Sequence, residues 1–381
     1  MKVFFLDSDT DPKRLFEKVN STKAGIKIMK DKTKVLLFLI KNIKTPAANI
    51  LKQDALSVGA DLAVSKDAIN CKKEYIDAVL MATPKQIKLL VKKEKIQPFG
   101  LKDLSNELKN FIGKEKHPVK IMGVINANED SFYQKSRFSP DNAQEKILSM
   151  IEEGADIIDI GGVSSRPGSE YVAEEEEFKR VKPFIDTVYQ NSLYQKALFS
   201  LDSYSPKSLN YALERGFKIV NDITALSNDE VAKAASMHNA TVILMHMKGT
   251  PKDMQKDPFY EDVIDEIDSF FQKRIEKALK YKIDDIILDV GIGFGKRLKD
   301  NLLLIKHLKH FTKYGYELLI GASRKSMIDK ISPSDIEERL PGTLAIHLKA
   351  LQNGASILRV HDVKEHSQAV KVFEAINSTL I

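Results

Sequence analysis

The chain has 381 residues, a mass of 42.9 kDa and a net charge of +6; 43% of its residues are hydrophobic and 29% are charged. This apolar content excludes intrinsic disorder, and the longest apolar run, residues 35–40, is far shorter than the roughly 20 residues that cross a bilayer. Asp7 leaves no room for a secretory apolar segment, and the single cysteine, Cys71, cannot form an intramolecular disulfide, so we expect a cytoplasmic protein without membrane contact.

Residues 1–115 are predicted to form a small separate α/β domain. This segment carries a net charge of +9, whereas the remainder carries −3. We expect strands and helices, followed by a linker at 113–118: strands at 2–6, 25–29, 35–40 and 61–64, and helices at 12–20, 47–58, 83–95 and 101–112. Its lysines are scattered and aromatic residues are not interleaved with them, which favours a structural or dimer-supporting role over nucleic-acid binding.

Residues 119–381 alternate short β-rich runs with amphipathic helical stretches, a pattern that predicts repeated βα units and a parallel sheet. We predict eight strands, at 119–126, 156–162, 197–203, 219–225, 241–247, 285–291, 317–323 and 357–363. Eight units of this length match a (β/α)8 TIM barrel, because a doubly wound open sheet more often has five to seven strands. The predicted fold is therefore a (β/α)8 barrel preceded by a small α/β domain.

Polar residues lie near the carboxyl ends of these predicted strands, where barrel enzymes carry their active sites. They are Asn126, Asp159, Asp202, Asn221, Asp222, His246, Asp289, Ser323 to Lys325, Arg359 and His361. Strands that are buried on both faces normally avoid such groups. For Asp159, Asp222 and His246 a structural role is equally compatible with the sequence, but eight strand ends in register favour a functional site.

Two features among these strand ends are a glycine loop and a candidate anion site. Residues 291–296 (GIGFGK) follow Asp289 but match neither the P-loop nor the dinucleotide fingerprint. Arg359 and His361 alternate on one strand and therefore share a face, and Asn126 ends the strand next to them in a closed barrel. Guanidinium and imidazole donors suit phosphate oxygens, and an amide oxygen suits a hydrated Mg2+, although a structural salt bridge is the alternative.

Ten collinear blocks between residues 119 and 376 resemble dihydropteroate synthase. They are 121–126 (IMGVIN) with 130–132 (DSF), 154–162 (GADIIDIGG), 164–168 (SSRPG), 201–203 (LDS), 220–223 (VNDI), 245–251 (MHMKGTP), 288–296 (LDVGIGFGK), 323–326 (SRKS), 339–343 (RLPGT) and 359–363 (RVHDV). The resemblance implies a transferase of folate biosynthesis. Such an enzyme condenses 6-hydroxymethyl-7,8-dihydropterin diphosphate with p-aminobenzoate, giving 7,8-dihydropteroate and diphosphate.

The resemblance also assigns roles to the strand-end residues. Asp202, Asn221, Asp289 and Lys325 match the family's pterin contacts, and Arg359, His361 and Asn126 match its diphosphate and Mg2+ positions. Lys325, Arg359, His361 and Asp202 are thus the expected catalytic residues, with Asn126 as the metal ligand and Mg2+ as the cofactor. The expected chemistry is dissociative, so that carboxylates stabilise a pterin cation while Arg359, His361 and Mg2+ stabilise the leaving diphosphate.

The p-aminobenzoate site of the family implies a second group of residues, which makes the chain an expected sulfonamide target. They are Ser326, Phe294, Ser165, Pro167, Arg166 and Phe132. For Phe132 and Phe294, packing against the glycine loops is an equally open reading. The family resemblance further implies a homodimer.

Several positions depart from the family pattern. The first loop, residues 126–136, has diverged, and Val163, Ser165 and Val290 replace the usual Glu, Thr and Pro. Two rival functions follow from the sequence. A pterin-binding methyltransferase would share Asp202, Asn221 and Asp289, and a barrel that binds pterin without catalysis would explain the diverged loop.

Overall fold

The computed structural model describes residues 1–6, 10–114, 116–127, 142–163, 168–169 and 172–380. The chain divides into two units, one formed by Met1–Lys114 with Glu374–Ile381 and the other by Glu115–Phe373. Residues 374–381, which we expected in the barrel domain, therefore group with the first unit. Within that unit, Arg14 Nη1 donates to the Ser378 carbonyl at 2.5 Å.

The first unit is an antiparallel sheet packed against helices. Its elements are α1 (Pro12–Lys18), α2 (Lys23–Met29), a 3-10 helix (Lys30–Lys32), β1 (Leu36–Lys44), α3 (Thr45–Ser57), β2 (Asp61–Val64), β3 (Tyr75–Ala82), α4 (Pro84–Glu94) and α5 (Leu101–Asn110). β3 lies between β1 and β2 and pairs with both in antiparallel register. Alternate β3 residues, Ile76, Ala78, Leu80 and Ala82, are buried in this unit's core.

The predictions for the first unit contain three errors. The segment 25–29 is part of helix α2, not a strand, because Thr22 caps the helix by accepting a hydrogen bond from Gly25 N at 3.1 Å. Residues 2–6 form no strand, and the central strand β3 was missed. The remaining predicted elements are confirmed: α1, β1, α3, β2, α4 and α5 all overlap the predicted ranges.

Glu94 on α4 is expected to make the stability of the first unit depend on pH. Burial, followed by the neighbouring Asp54 carboxylate, raises the pKa of Glu94 from 4.5 to about 7. The folded state therefore holds a proton that the unfolded state has lost between those values, so the free energy of unfolding falls as pH rises from 4.5 to 7. Glu94→Gln, which is neutral at every pH, should be more stable than the natural protein at pH 8 by about 2–3 kcal/mol.

Urea unfolding at pH 5 and pH 8 measures this effect, with exposed Glu17→Gln as the matched control. The control should keep the pH dependence of the natural protein, whereas Glu94→Gln should lose the part of it that Glu94 contributes. An unchanged pH dependence in Glu94→Gln would show that Glu94 is ionised in the folded state.

The second unit contains eight strands that close into a parallel barrel. The strands are β4 (Lys120–Asn126), β5 (Ile157–Gly161), β6 (Leu198–Asp202), β7 (Ile219–Asp222), β8 (Thr241–Met245), β9 (Ile286–Asp289), β10 (Glu317–Ile320) and β11 (Ile357–Val360). They pair in chain order, and β11 closes the ring by pairing with β4. The predicted (β/α)8 barrel and all eight of its strands are confirmed.

Helices connect the strands and cover the outside of the barrel. They are α6 (Ala143–Glu152), α7 (Glu174–Gln190), α8 (Pro206–Leu213), α9 (Asp229–Met237), α10 (Val263–Lys280), α11 (Leu298–Lys306), α12 (Ser326–Ile331), α13 (Leu340–Gln352) and α14 (Val363–Ser378), with 3-10 helices at Leu193–Gln195, Leu308–Tyr314 and Ile336–Arg339. Side-chain caps mark several helix starts: Asp262 caps α10 and Ser205 caps α8. In the described part of the chain, no helix is long and apolar enough to cross a membrane.

Candidate active site at the barrel mouth

Strand alternation carries polar groups to the inner face of the barrel. Seven of the eight strands each contribute one buried apolar residue to an inner cluster: Met122, Ile157, Ile219, Ile243, Ile287, Leu319 and Ile357. Two residues further along their strands, the same alternation presents Asp159, Asn221, Asp289 and Arg359 on the same face. The carboxyl ends of all the strands meet at one mouth of a parallel barrel, so these groups face a common space.

Arg359 on β11 contacts two carboxylates, one on β5 and one on β6. Its Nε and Nη2 lie 2.7 and 2.6 Å from Asp159 Oδ2, and Nη2 lies 2.7 Å from Asp202 Oδ2. Asn221 Nδ2 donates to the same Asp159 oxygen at 3.1 Å. Three of the predicted site residues, Arg359, Asp202 and Asn221, are therefore brought together around Asp159, a strand-end residue for which a structural role was equally compatible with the sequence.

Burial sets the charge of this cluster. It raises the pKa of Asp202 to about 7, although Arg359 opposes that rise, and Asp159 adds to it. The two carboxylates raise the pKa of Arg359 above its usual value against the effect of burial. Arg359 is therefore a permanent cation, whereas Asp202 exchanges its proton near neutral pH.

Asp289 ends β9 and holds the start of the glycine loop. Its Oδ1 accepts a hydrogen bond from Gly291 N at 2.8 Å. Burial raises the pKa of Asp289, while this N–H and the Lys325 ammonium oppose the rise. Gly291 has φ +66°, and a Cβ there would lie 1.9 Å from the His246 carbonyl oxygen. Gly291 follows β9 and His246 follows β8, and the two backbones lie so close together that only glycine fits at position 291.

Lys296 anchors the other end of the glycine loop and was missed as a site residue. Its side chain is buried, and Nζ lies 3.0 Å from His246 Nδ1, 2.9 Å from the Gly291 carbonyl and 3.0 Å from the Phe294 carbonyl. Burial lowers the pKa of Lys296 to about 7, and burial with the Lys296 charge lowers that of His246 to about 2. The only sequence signal was a lysine directly after a glycine loop.

Lys325 reaches from the β10–α12 turn to the glycine loop. Nζ donates to the Ile292 carbonyl and lies 4.3 Å from the centre of the Phe294 ring. Burial lowers the pKa of Lys325 to about 8 although Asp289 opposes this. Ser326, the residue after it, begins α12 and is exposed.

His361 and Arg324 connect the same turn to the end of β11. Ser323 Oγ lies 2.9 Å from His361 Nδ1. Arg324 donates from Nε to Asp362 Oδ2 at 2.8 Å and from Nη2 to Asp362 Oδ1 at 2.7 Å. Burial, then the Arg359 charge, lowers the pKa of His361 to about 4, so its imidazole is neutral at physiological pH.

Of the five predicted site residues that remain, the structure describes Asn126. Asn126 is the last residue of β4, next to β11. Among the described residues, no group of three or more His, Cys, Asp or Glu side chains forms a metal cage. Phe132, Ser165, Arg166 and Pro167 lie outside the described residues.

Comparison with known proteins identifies the family. A family described as pterin binding enzyme matches residues 122–361. A bifunctional dihydropteroate synthase/dihydropteroate reductase of Helicobacter pylori is 44% identical over 368 residues, which cover 96% of this chain and 97% of the relative. The chain belongs to the dihydropteroate synthases, a family of pterin-binding enzymes.

Several other dihydropteroate synthases match about two thirds of the chain. The Escherichia coli enzyme is 39% identical over 68% of this chain and 92% of its own length. The Yersinia pestis enzyme, solved with a sulfonamide drug, has a TM-score of 0.66 and 36% identity over 69% of this chain and 95% of its own. The Xanthomonas albilineans enzyme, solved with 4-aminobenzoic acid, has a TM-score of 0.63 and 35% identity over 69% of this chain and 94% of its own.

Proposed function

We propose that the polar groups at the barrel mouth bind pterin diphosphate and p-aminobenzoate and catalyse their condensation. The chain is a dihydropteroate synthase, a transferase of folate biosynthesis. The observation that carries the proposed site is the Arg359 cluster, in which one guanidinium joins carboxylates on two other strands. Asp289 and Lys325 face the same mouth and interact electrostatically with each other and with Arg359.

The pterin would lie between Asp202, Asn221 and Asp289. Its ring N–H and amino group form a paired donor edge, which one carboxylate can accept with two hydrogen bonds. Asp289 suits this role because Gly291 N already holds one of its oxygens and so fixes the plane of the carboxylate. Asp202 and Asn221, both linked to the Arg359 cluster, supply the remaining acceptor and donor groups.

The reaction would break the bond between the pterin methylene carbon and the diphosphate oxygen, which leaves with the electron pair. The amine nitrogen of p-aminobenzoate then forms a bond to that carbon and loses a proton. Asp202 and Asp289 stabilise the cation that develops on the pterin, and Arg359 stabilises the departing diphosphate. His361, as a neutral imidazole beside Ser323, can contribute a hydrogen bond but no charge.

Mg2+ fits this site only together with the diphosphate. Asn126 offers one hard oxygen ligand, and Mg2+ commonly combines few protein ligands with phosphate oxygens and water. When bound, Mg2+ would supply positive charge to the leaving group, and Asn126 would hold it.

The p-aminobenzoate site is proposed on the outer side of Lys325. Phe294 offers a ring face next to the Lys325 ammonium, and Ser326 offers an exposed hydroxyl at the start of α12. Ser165, Pro167, Arg166 and Phe132 are assigned to this site by family resemblance alone. We propose that a sulfonamide competes with p-aminobenzoate here, as steady-state inhibition with varied p-aminobenzoate would measure; inhibition that is not competitive would contradict this.

Turnover is expected to have a bell-shaped pH dependence. Asp202 must lose its proton to accept the donors of the pterin, and its pKa is about 7, so kcat/KM for pterin diphosphate should rise through that pH. The pKa of Lys325 is about 8, so its positive charge and kcat/KM should fall above that pH. Lys325→Arg should remove the alkaline limb, and because the diphosphate titrates equally with both proteins, identical alkaline limbs would contradict the role of Lys325.

A single assay separates the synthase from its rivals. The protein is mixed with pterin diphosphate, Mg2+ and p-aminobenzoate, and the release of diphosphate and the consumption of p-aminobenzoate are followed together. A synthase releases one diphosphate for each p-aminobenzoate consumed. Pterin binding without either change would contradict the synthase and would leave the scaffold and the methyltransferase as the remaining functions.

Reduction of dihydropteroate is a second candidate activity. The bifunctional Helicobacter pylori relative covers 96% of this chain, whereas the Escherichia coli synthase covers 68% of it. The reaction adds a hydride and a proton across one C=N bond, so it requires a hydride donor. Incubation with dihydropteroate and either reduced nicotinamide or reduced flavin should yield tetrahydropteroate and oxidised donor in equal amounts, and no product with either donor would reject this activity.

A homodimer and a cytoplasmic location are further proposals, supported by family resemblance and by the single cysteine. Sedimentation at micromolar concentration measures the oligomeric state. A monomer at that concentration would contradict the dimer.

A further inference from the structure

Two histidines behind the site form an uncharged hydrogen-bonded pair that the synthase chemistry does not use. His347 lies on α13 and His366 on α14, and both side chains are buried, with exposed fractions of 0% and 1%. Their rings are 5.0 Å apart, and His347 Nδ1 lies 2.9 Å from His366 Nε2. Burial is the first cause that lowers the pKa of each histidine, so neither carries a charge at physiological pH.

The partners of the pair determine which ring nitrogens carry protons. Ala322 N can only donate, so His347 Nε2 accepts its hydrogen bond at 3.2 Å and the proton of His347 is on Nδ1. His347 therefore donates to His366 Nε2, and His366 donates from Nδ1 to the Asp362 carbonyl at 2.6 Å. The result is a chain of three hydrogen bonds, all in one direction, from the Ala322 N–H to the Asp362 carbonyl.

These hydrogen bonds join the segment that carries Lys325 to the segment that carries Arg359 and His361. Ala322 begins the turn that contains Ser323, Arg324 and Lys325, and Asp362 follows His361. Arg324 completes a closed circuit, since it binds the Asp362 carboxylate while its own N–H donates to Thr343 Oγ1 of α13 at 2.9 Å. Both ends of the pair thus lie within three residues of a group that would contact substrate.

We propose that His347 and His366 are positioning residues, which hold the turn 322–325 and so set Lys325 relative to His361 and Arg359. This proposal rests on the proposed synthase function. Apolar replacement of His347 leaves the buried Ala322 N–H without its acceptor, and the turn must move to satisfy it. Movement of this turn changes the distance between the amine-binding side of Lys325 and the diphosphate-binding side of His361.

The test compares two replacements of His347. Gln can accept from Ala322 N through its amide oxygen and donate to His366 through its amide nitrogen, whereas Leu can do neither. We expect His347→Leu to lower kcat by about tenfold and to raise the KM for p-aminobenzoate at temperatures below its melting point. His347→Gln should keep kcat within about twofold of the natural protein. His307→Leu, at an exposed position, is the matched control.

A purely structural role predicts a different result. In folded His347→Leu, kcat and the KM for p-aminobenzoate would equal those of the natural protein, and only the melting temperature would fall. That outcome would overturn the proposal. Should His347→Leu fail to fold, nitrogen NMR of the natural protein decides, because the pair requires the Nδ1–H form for both rings. An Nε2–H form for His347 would contradict the hydrogen-bond chain. If the natural protein lacked synthase turnover, the proposed function would fail. The NMR result and the affinity of each variant for pterin diphosphate would still test whether His347 and His366 position the turn 322–325.

Discussion

Replacing Arg359 by methionine is expected to lower kcat/KM by about a thousandfold or more. The guanidinium bonds to Asp159 and Asp202 at 2.6–2.7 Å; the Asp159 side chain is fully buried and that of Asp202 is 13% exposed. The methionine variant loses the charge that faces the departing diphosphate and leaves two neighbouring carboxylates without their cation. One of them must then take up a proton, which removes an acceptor from the pterin site.

Arg359→Lys separates charge from geometry. A lysine keeps the positive charge but cannot bind both carboxylates with the fixed geometry of a planar guanidinium. We therefore expect kcat/KM to fall by a smaller factor, about 10- to 100-fold. Steady-state kinetics and thermal unfolding of both variants measure the effect. Arg215→Met, which removes a half-exposed ion pair with Asp186, is the control and should leave turnover unchanged. If kcat/KM of Arg359→Met equalled that of the natural protein, Arg359 would be excluded from the active site.

The barrel could be predicted from the sequence because its signal repeats. Each strand is a short apolar run followed by a helix, and eight repeats agree on one architecture. The first unit has no such repetition, and local signals misled there. In α2 the apolar residues Ile26 and Ile28 alternate as in a strand, yet the cap at Thr22 starts a helix. In β3 the Ala and Met content is typical of a helix, although alternate residues are buried.

The site was predictable in position but not in its internal contacts. Parallel strands of a closed barrel must end at the same mouth, so the convergence of Asp202, Asp289 and Arg359 follows from topology. The pairing of Arg359 with Asp159 joins residues 200 positions apart, and a single sequence carries no signal for it. The same holds for Lys296, whose burial among three carbonyls depends on how two loops pack.

Replacing Asp289 by asparagine is expected to weaken pterin binding by about 100- to 10,000-fold. In the natural protein, Asp289 Oδ1 accepts from Gly291 N at 2.8 Å. The asparagine oxygen will keep that position, because Gly291 N can only donate. The amide nitrogen must then face the pocket, where it meets the donor edge of the pterin instead of accepting from it.

This loss is separable from any loss of stability. Burial raises the pKa of Asp289, so ionised Asp289 is unfavourable in the empty pocket, and a neutral amide of the same shape removes that cost. The melting temperature of Asp289→Asn should therefore equal or exceed that of the natural protein. Its affinity for pterin diphosphate, measured by calorimetry, should fall by the factor given above. Asp284→Asn, an exposed change just before the same strand, should alter neither quantity. A natural affinity in Asp289→Asn would mean that the pterin edge is bound by a different acceptor, and a lower melting temperature with natural affinity would assign Asp289 to the packing of the glycine loop.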